Sequence, residues 1–235
     1  MTIDLRRIPA LYINLERDVQ KNENMIRILN ECGFKQIIRI EGIVNTNNPE
    51  AGCSMAHHKG VCVIKPPFIL FEDDCQIQNF RPIIKVPDII DALYLGNSGI
   101  ARSNSHVGNY LDYHKVEGYT DLYKIYNMLS GHSVLYYSQE YVNICKRITH
   151  HAGYVVEHFQ DWGFAEIQKW YNVYTFDEPF FYQTSHLSIS NKKLTEYPNY
   201  TSLTYNRNQF RPQPLYDAYT NYPKPFSMPP DEVIK

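Results

Sequence analysis

The sequence has no apolar run long enough to cross a membrane, and no apolar stretch near its start that would act as a secretory signal. A membrane helix needs about 20 consecutive apolar residues, and a signal peptide needs an apolar segment behind a basic start. The 5 cysteines are odd in number and include no C-x-x-C spacing. We therefore expect reduced thiols and a cytoplasmic location.

An excess of charge of one sign is also missing. The chain has 23 basic and 25 acidic residues and a formal net charge of −2, which excludes a strongly basic duplex-coating protein but allows a local basic groove. Hydrophobic residues form 43% of the 235 residues, which excludes a disordered chain. Tryptophan is scarce, at 2 residues, beside 20 tyrosines and 11 phenylalanines. This indicates a compositional bias or a tyrosine-lined site for sugars or bases.

Short apolar segments alternate with helical patterns in the first hundred residues. We predict strands at 11–13, 37–40, 68–71 and within 89–95, helices at 18–32 and 54–63, and a polar loop at 45–52. This order predicts an α/β fold with a mainly parallel sheet and helices on its faces.

The second half of the sequence gives weaker signals. We predict a loop at 101–110, a hairpin within 113–126, strands at 133–137, 173–176 and 179–182, and helices at 139–148 and 164–170. Residues 1–195 are expected to form the domain. Residues 196–235, rich in Pro, Tyr and Asn, are expected to form an irregular C-terminal extension packed on it.

Three consecutive acids, Glu72, Asp73 and Asp74, follow the apolar segment 68–71. In open α/β sheets, ligands bind at the carboxyl ends of the strands. Adjacent carboxylates repel one another, and Mg²⁺ offsets that repulsion while it binds phosphate oxygens. The segment therefore predicts a metal–diphosphate site, with an acidic surface turn as the alternative.

Four segments, taken in order, resemble the successive blocks of glycosyltransferase family 25, which includes lipooligosaccharide galactosyltransferases and the collagen galactosyltransferase domain. The family pattern is I-N-L-x-R, G-C-x-x-S-H, L-E-D-D and D-x-x-Y-L-G. The matching segments are residues 13–17, 52–57, 71–74 and 91–96. Ala56 replaces the family's serine, and Ile90 replaces the tryptophan that precedes Asp91. Beyond residue 97 the similarity is confined to residues 130–136, 161 and 173–183.

The resemblance implies a GT-A fold with a Rossmann-like nucleotide-sugar half, a divalent metal (Mn²⁺ or Mg²⁺) and inversion at the anomeric carbon. It implies Asp74 as a direct metal ligand. Glu72 would face the donor ribose or a metal-bound water, and Asp73 would assist either of them. Asn14 and Arg17 would hold the nucleotide, although Arg17 also fits a surface position at a helix start.

Other residues are read in the same light. His57 would contact the diphosphate or orient a carboxylate, or be a structural histidine. An inverting transferase needs a base for the acceptor hydroxyl, and Asp161 is the candidate, beside Trp162 as a sugar platform. A helix N-cap aspartate beside a core tryptophan is the alternative. His132 and Gln183 are secondary pocket candidates. Zinc is a further idea for a group of histidines whose spacing matches no zinc pattern: His57, His58, His150, His151 and His158.

The sequence thus predicts a metal-dependent inverting transfer of a hexose from a nucleotide sugar, a UDP-sugar, to a glycan hydroxyl. A protein hydroxyl or a hydroxymethylated base in viral DNA is the alternative acceptor. Residues 205–211 interleave aromatics with arginines, as nucleic-acid binders do, and an ordinary surface loop is the alternative. Two other classes are an inactive nucleotide-sugar-binding module and a metal-dependent phosphohydrolase or nuclease.

Overall fold

A computed structural model describes residues 1–97 and 111–184, and beyond them the backbone of three short strands. Its helices are α1 (Val19–Glu31), α2 (Pro49–Val63), α3 (Gln139–Tyr154) and α4 (Asp161–Ile167), with 3₁₀ helices at Leu5–Arg7 and Gln168–Trp170. The strands are β1 (Thr2–Asp4), β2 (Ala10–Asn14), β3 (Ile37–Glu41), β4 (Phe68–Glu72), β5 (Cys75–Ile77), β6 (Ile83–Lys85), β7 (Ala92–Tyr94), β8 (Leu111–Lys115), β9 (Leu122–Ile125), β10 (Ser133–Tyr136), β11 (Val173–Phe176), β12 (Phe181–Gln183), β13 (His186–Leu187), β14 (Leu194–Thr195) and β15 (Phe210–Arg211).

The centre of the fold is a nine-stranded sheet in the order β15-β8-β9-β11-β7-β10-β4-β2-β3. The pairings of β4 with β2 and of β2 with β3 are parallel, and so is that of β7 with β11. Strands β9 and β10 pair antiparallel with both of their neighbours, so they alone in this sheet run against the rest. The predicted α/β fold with a mainly parallel sheet is confirmed.

Helices cover both faces of this sheet. Alternate residues of β4 enter different cores: Ile69 and Phe71 pack on one side, and Phe68 and Leu70 on the other. The first core includes the apolar stripe of α1, and the second includes apolar residues of α2, α3 and α4. Because both faces are buried, β4 reads as a continuous apolar run. Within the described residues, none of the helices is long and apolar enough to span a bilayer.

Several predicted boundaries agree with the structure. Helix α1 follows Asp18, although the Asp18 side chain makes no capping hydrogen bond. Gly33 follows the helix with a φ of +80°, a conformation that glycine adopts without strain. The hairpin predicted within 113–126 is formed by β8 and β9, and β11 has the predicted bounds.

The start of the second helix was predicted wrongly. Residues 49–52, predicted as a loop, and residue 53, predicted to precede the helix, belong to α2. Asn48 caps the helix, and Pro49 lies in its first turn. The Asn48 side chain accepts a hydrogen bond from the Ala51 amide at 3.2 Å. This change places Cys53 inside the helix, four residues before His57.

Two other predictions concern parts of the chain with little or no description. The predicted loop at 101–110 lies outside the described residues. So does the extension 196–235, except that the backbone of β15 pairs parallel with β8.

The strand predicted within 89–95 is shorter, at Ala92–Tyr94.

Candidate functional site

The three acids lie where β4 ends and turns into β5. Strand β4 ends at Glu72, and β5 begins at Cys75, so Asp73 and Asp74 form the turn. Because β10 is antiparallel to β4, the residues just before β10 reach the same point, and the Glu72 amide donates to the His132 carbonyl at 2.9 Å. Strand β12 adds Gln183, which pairs with Cys75. The topology thus brings the start of β10 and the end of β12 close to the turn between β4 and β5.

Glu72 is held from two sides. Its Oε1 lies 3.0 Å from Nε2 of His57, a side chain that is 1% exposed. Its Oε2 accepts a hydrogen bond from the Gln183 amide at 3.1 Å. The same Gln183 nitrogen lies 3.3 and 3.5 Å from the two carboxylate oxygens of Asp74. Gln183 therefore joins Glu72 and Asp74, while its predicted pocket role stays a prediction.

Asp74 is buried among other acids. Its side chain is 7% exposed, and burial together with the neighbouring charge of Glu72 raises its pKa to about 8, although Lys21 opposes this rise. Thr184 donates from both its backbone amide and its hydroxyl to the Asp74 carbonyl. Thr184 thus fixes the backbone here, while burial and the charge of Glu72 disfavour the ionised carboxylate. A bound cation would favour it.

Asp73 points the other way, toward β2 and α1. It accepts a hydrogen bond from the Asn14 amide at 2.8 Å and pairs with Lys21 at 3.1 Å. Asn14 also donates to the Asp18 carbonyl and accepts from Arg39 at 3.1 Å, so its side chain is engaged on every side. The structure places Asn14 as the residue that ties the acidic turn to the helix.

A cleft lies beside the acidic turn, with a volume of about 240 Å³. Its lining is polar and comes from α1, the turn and the end of β12: Gln20, Lys21, Asn24, Asp73, Asp74 and Thr184. Lys21, on the first turns of α1, is a cleft residue that sequence reasoning missed. Arg17 is exposed and makes no hydrogen bond or ion pair with any residue that the structure describes.

Asp161 starts α4 on the opposite side of Glu72 from the cleft-lining helix α1. Burial and the charge of Glu72 raise its pKa to about 6, and His57 opposes this rise. Its Oδ1 is buried and has no hydrogen-bond partner in the described part of the chain. The next residue, Trp162, is 47% exposed, and its ring lies 4.4 Å from that of His158. An acid of raised pKa therefore directly precedes an exposed tryptophan in the chain.

The histidines do not form one zinc site. His58 lies 3.0 Å from the Thr149 hydroxyl and packs against the rings of His150 and Tyr154, whereas His57 faces Glu72. Among the described residues, one group of three histidine, cysteine and acidic side chains has donor atoms close enough to share a metal ion: Cys53, His57 and Glu72. Sequence reasoning missed Cys53 because residue 53 was not placed in the helix.

Asp91 has a structural role in this fold. Its carboxylate accepts hydrogen bonds from the Ser138 hydroxyl at 2.5 Å and from the Asn172 backbone amide at 2.7 Å. Ser138 in turn caps α3. Asp91 therefore connects β7 to the start of α3 and to β11.

The backbone of Gly96 lies directly against the imidazole ring of His132. A Cβ atom on Gly96 would lie 1.8 Å from Nε2 of His132, whose side chain is 1% exposed. Burial lowers the pKa of His132, which favours the neutral ring. The glycine after β7 is thus required by the position of His132 beside the acidic turn.

We expect Gly96→Ala to destabilise the fold, because the buried His132 ring has little room to move aside. Overpacking of this kind costs about 1–3 kcal/mol, and each kcal/mol lowers Tm by about 2–4 °C in a chain of this size. Thermal unfolding measures the loss. The same substitution in a His132→Ala background should cost clearly less, and an equal loss in both backgrounds would show that the clash is not its cause.

Comparison with known proteins adds no assignment: no protein-family model matches the sequence, and no curated protein matches it.

Proposed function

We propose that this protein is a metal-dependent glycosyltransferase that moves a hexose from a nucleotide sugar, a UDP-sugar, to an acceptor hydroxyl on a glycan, with inversion. The observation that carries the proposal is the half-buried Glu72 and the buried Asp74, joined by Gln183 at the carboxyl end of β4, with Asp74 lining a cleft beside them. This is the edge at which α/β sheets bind nucleotides. The four sequence segments that resemble glycosyltransferase family 25 support the choice of donor.

The residues present fit a hard divalent cation, Mn²⁺ or Mg²⁺. Such cations prefer carboxylate oxygens, and the two acids bring these together beside the cleft. The raised pKa of Asp74, caused by burial and by Glu72, means that the charged carboxylate is disfavoured there, and a bound cation would favour it. Asp74 and Glu72 would hold the ion. When bound, the ion would stabilise the charge that develops on the departing diphosphate.

The protein's own residues would have distinct tasks in this reaction. Lys21 lies at the cleft and would contact phosphate oxygens, while Asn14 and Asp73 fix its surroundings. Asp161 would accept the proton of the acceptor hydroxyl at Oδ1, the atom that has no partner in the described part of the chain. The exposed face of Trp162 would carry the acceptor sugar.

The test is a panel of nucleotide sugars with Mn²⁺, Mg²⁺ or chelator, scored for release of free nucleotide. We expect slow hydrolysis of one donor that requires metal and falls at least about 100-fold in Asp74→Ala, since loss of an electrostatic contact to the leaving group costs this much. Asp88→Ala is the control, because Asp88 is exposed and its ion pair within the described residues is with the chain's amino group.

The other outcomes of the panel separate the competing functions. Unchanged hydrolysis in Asp74→Ala would contradict the proposed site. Donor binding without turnover, with glycan, protein and hydroxymethylated-DNA acceptors all supplied, would indicate a binding module. Release of inorganic phosphate without sugar transfer would indicate a phosphohydrolase. Transfer to DNA alone would replace the glycan by a modified base.

A further inference from the structure

A second group of metal-binding side chains lies behind Glu72, on the side away from the cleft. Cys53 and His57 are four residues apart in α2, so they project from the same face of the helix. This face meets the end of β4, where His57 Nε2 lies 3.0 Å from Glu72 Oε1. One donor atom from each of Cys53, His57 and Glu72 lies within 4.8 Å of the other two. The spacing is that of groups able to share one ion.

The kinds of donor atom select the ion. A sulfur, an imidazole nitrogen and a single carboxylate oxygen are the ligands of Zn²⁺ and of related transition metals. Mg²⁺ and Ca²⁺ prefer oxygen ligands only. Three protein ligands also leave the fourth tetrahedral position of zinc for another group. The group is therefore chemically different from the carboxylate pair Glu72 and Asp74.

The space beside these ligands is kept open by a glycine. A Cβ atom on Gly131 would lie 3.3 Å from Glu72 Oε1 and 3.6 Å from His57 Cε1. His57 is almost completely buried, yet its Nδ1 has no hydrogen-bond partner in the part of the chain that the structure describes. A buried imidazole nitrogen without a partner is costly, and metal coordination through Nδ1 or a bound water would account for it.

Glu72 lies between the two groups. Its Oε1 faces His57, and its Oε2 faces Gln183, which also contacts Asp74. We propose that Cys53, His57 and Glu72 bind a transition-metal ion of the zinc class, with the Glu72 carboxylate shared between this ion and the cleft. The proposal shares Glu72 with the proposed function but does not depend on glycosyl transfer. Binding releases the thiol proton of Cys53 to solvent as the sulfur–metal bond forms.

Cobalt(II) is the probe, since a thiolate ligand gives it a charge-transfer absorption band in the near ultraviolet. The untagged full-length chain is titrated with Co²⁺, and bound Zn²⁺ is then counted by elemental analysis. We expect one equivalent of metal, with the thiolate band, in the wild type and in Cys62→Ser. Cys62 is the matched control, because it lies on the same helix but is exposed. Cys53→Ser should lose the band. His57→Gln should weaken metal binding by more than about 10–100-fold, which is the loss that removal of an outer-sphere partner causes.

Two further measurements keep the test decisive. Asp74→Asn should keep the cobalt–thiolate band even if it loses all donor hydrolysis, which separates this site from the proposed function. If Cys53→Ser does not fold, protection of wild-type Cys53 from alkylation by Zn²⁺, mapped by mass spectrometry with Cys62 as the unprotected reference, replaces it. A band that survives in folded Cys53→Ser, the absence of any thiolate band in the wild type, or Zn²⁺ that leaves Cys53 as reactive as before would overturn the proposal.

Discussion

Asp74→Asn is expected to raise Tm in the absence of metal and to abolish the stabilisation that Mn²⁺ or Mg²⁺ gives the wild type. Asp74 is buried beside Glu72, and these two causes raise its pKa from 3.8 to about 8. The folded state therefore holds the proton of Asp74 more tightly than the unfolded state does. As pH rises from about 4 to about 8, the unfolded state loses that proton first, and stability falls.

The gain from Asp74→Asn should accordingly grow with pH. It should be small near pH 4, where Asp74 is protonated in both states, and largest near pH 8. Asparagine keeps an oxygen that accepts the hydrogen bond from Gln183, so the contact at 3.3 Å can persist without the charge. Each kcal/mol gained raises Tm by about 2–4 °C for a chain of this length. Thermal unfolding in chelator at several pH values measures this gain.

When metal is added in the same experiment, the wild type should gain stability and the variant should not. A cation that binds only the folded wild type adds about 2.7 kcal/mol at a hundred times its Kd, which is about 5–10 °C in Tm. The variant should show none of this increase, and Asp88→Asn should show all of it. A variant that is less stable than the wild type at pH 8, or that keeps the full metal response, would contradict a cation site at Asp74.

Much of this site was predictable because its core is local in sequence. The apolar run of β4 and the three acids behind it are adjacent residues, and a strand buried on both faces leaves one place for polar groups, its end. Gln183 was a candidate because residues 173–183 resemble the family's strand that is followed by a proline and a glutamine. The pairing of β12 with β5, which sets Gln183 opposite Cys75, depends on the assembled fold.

The remaining site residues depend on tertiary packing or on one misplaced helix boundary. Lys21 reaches Asp73 only because α1 packs over the end of β2. Arg39 engages Asn14 only because β3 pairs with β2 in the register that sets Tyr12 opposite Arg39. Cys53 was missed because a proline was interpreted as a loop residue, although it occupies the first turn of α2.

Asp161→Asn is expected to lower kcat for transfer to the acceptor by about 10²–10⁴-fold, with little change in the KM for the donor, because general base catalysis contributes this much. Asp161 faces Glu72, which raises its pKa, and His57, which lowers it, and with burial the result is a pKa of about 6. A base acts when ionised, so wild-type kcat/KM should fall about tenfold per unit as pH decreases below about 6. The variant should lose this acidic limb.

If Asp161 served only as an acid in the first turn of α4, its replacement would cost about 0.3–1 kcal/mol of stability and leave kcat and the pH profile unchanged. Glu166→Gln, which removes a charge from the same helix, is the control, and pre-steady-state measurement of transfer distinguishes the two roles.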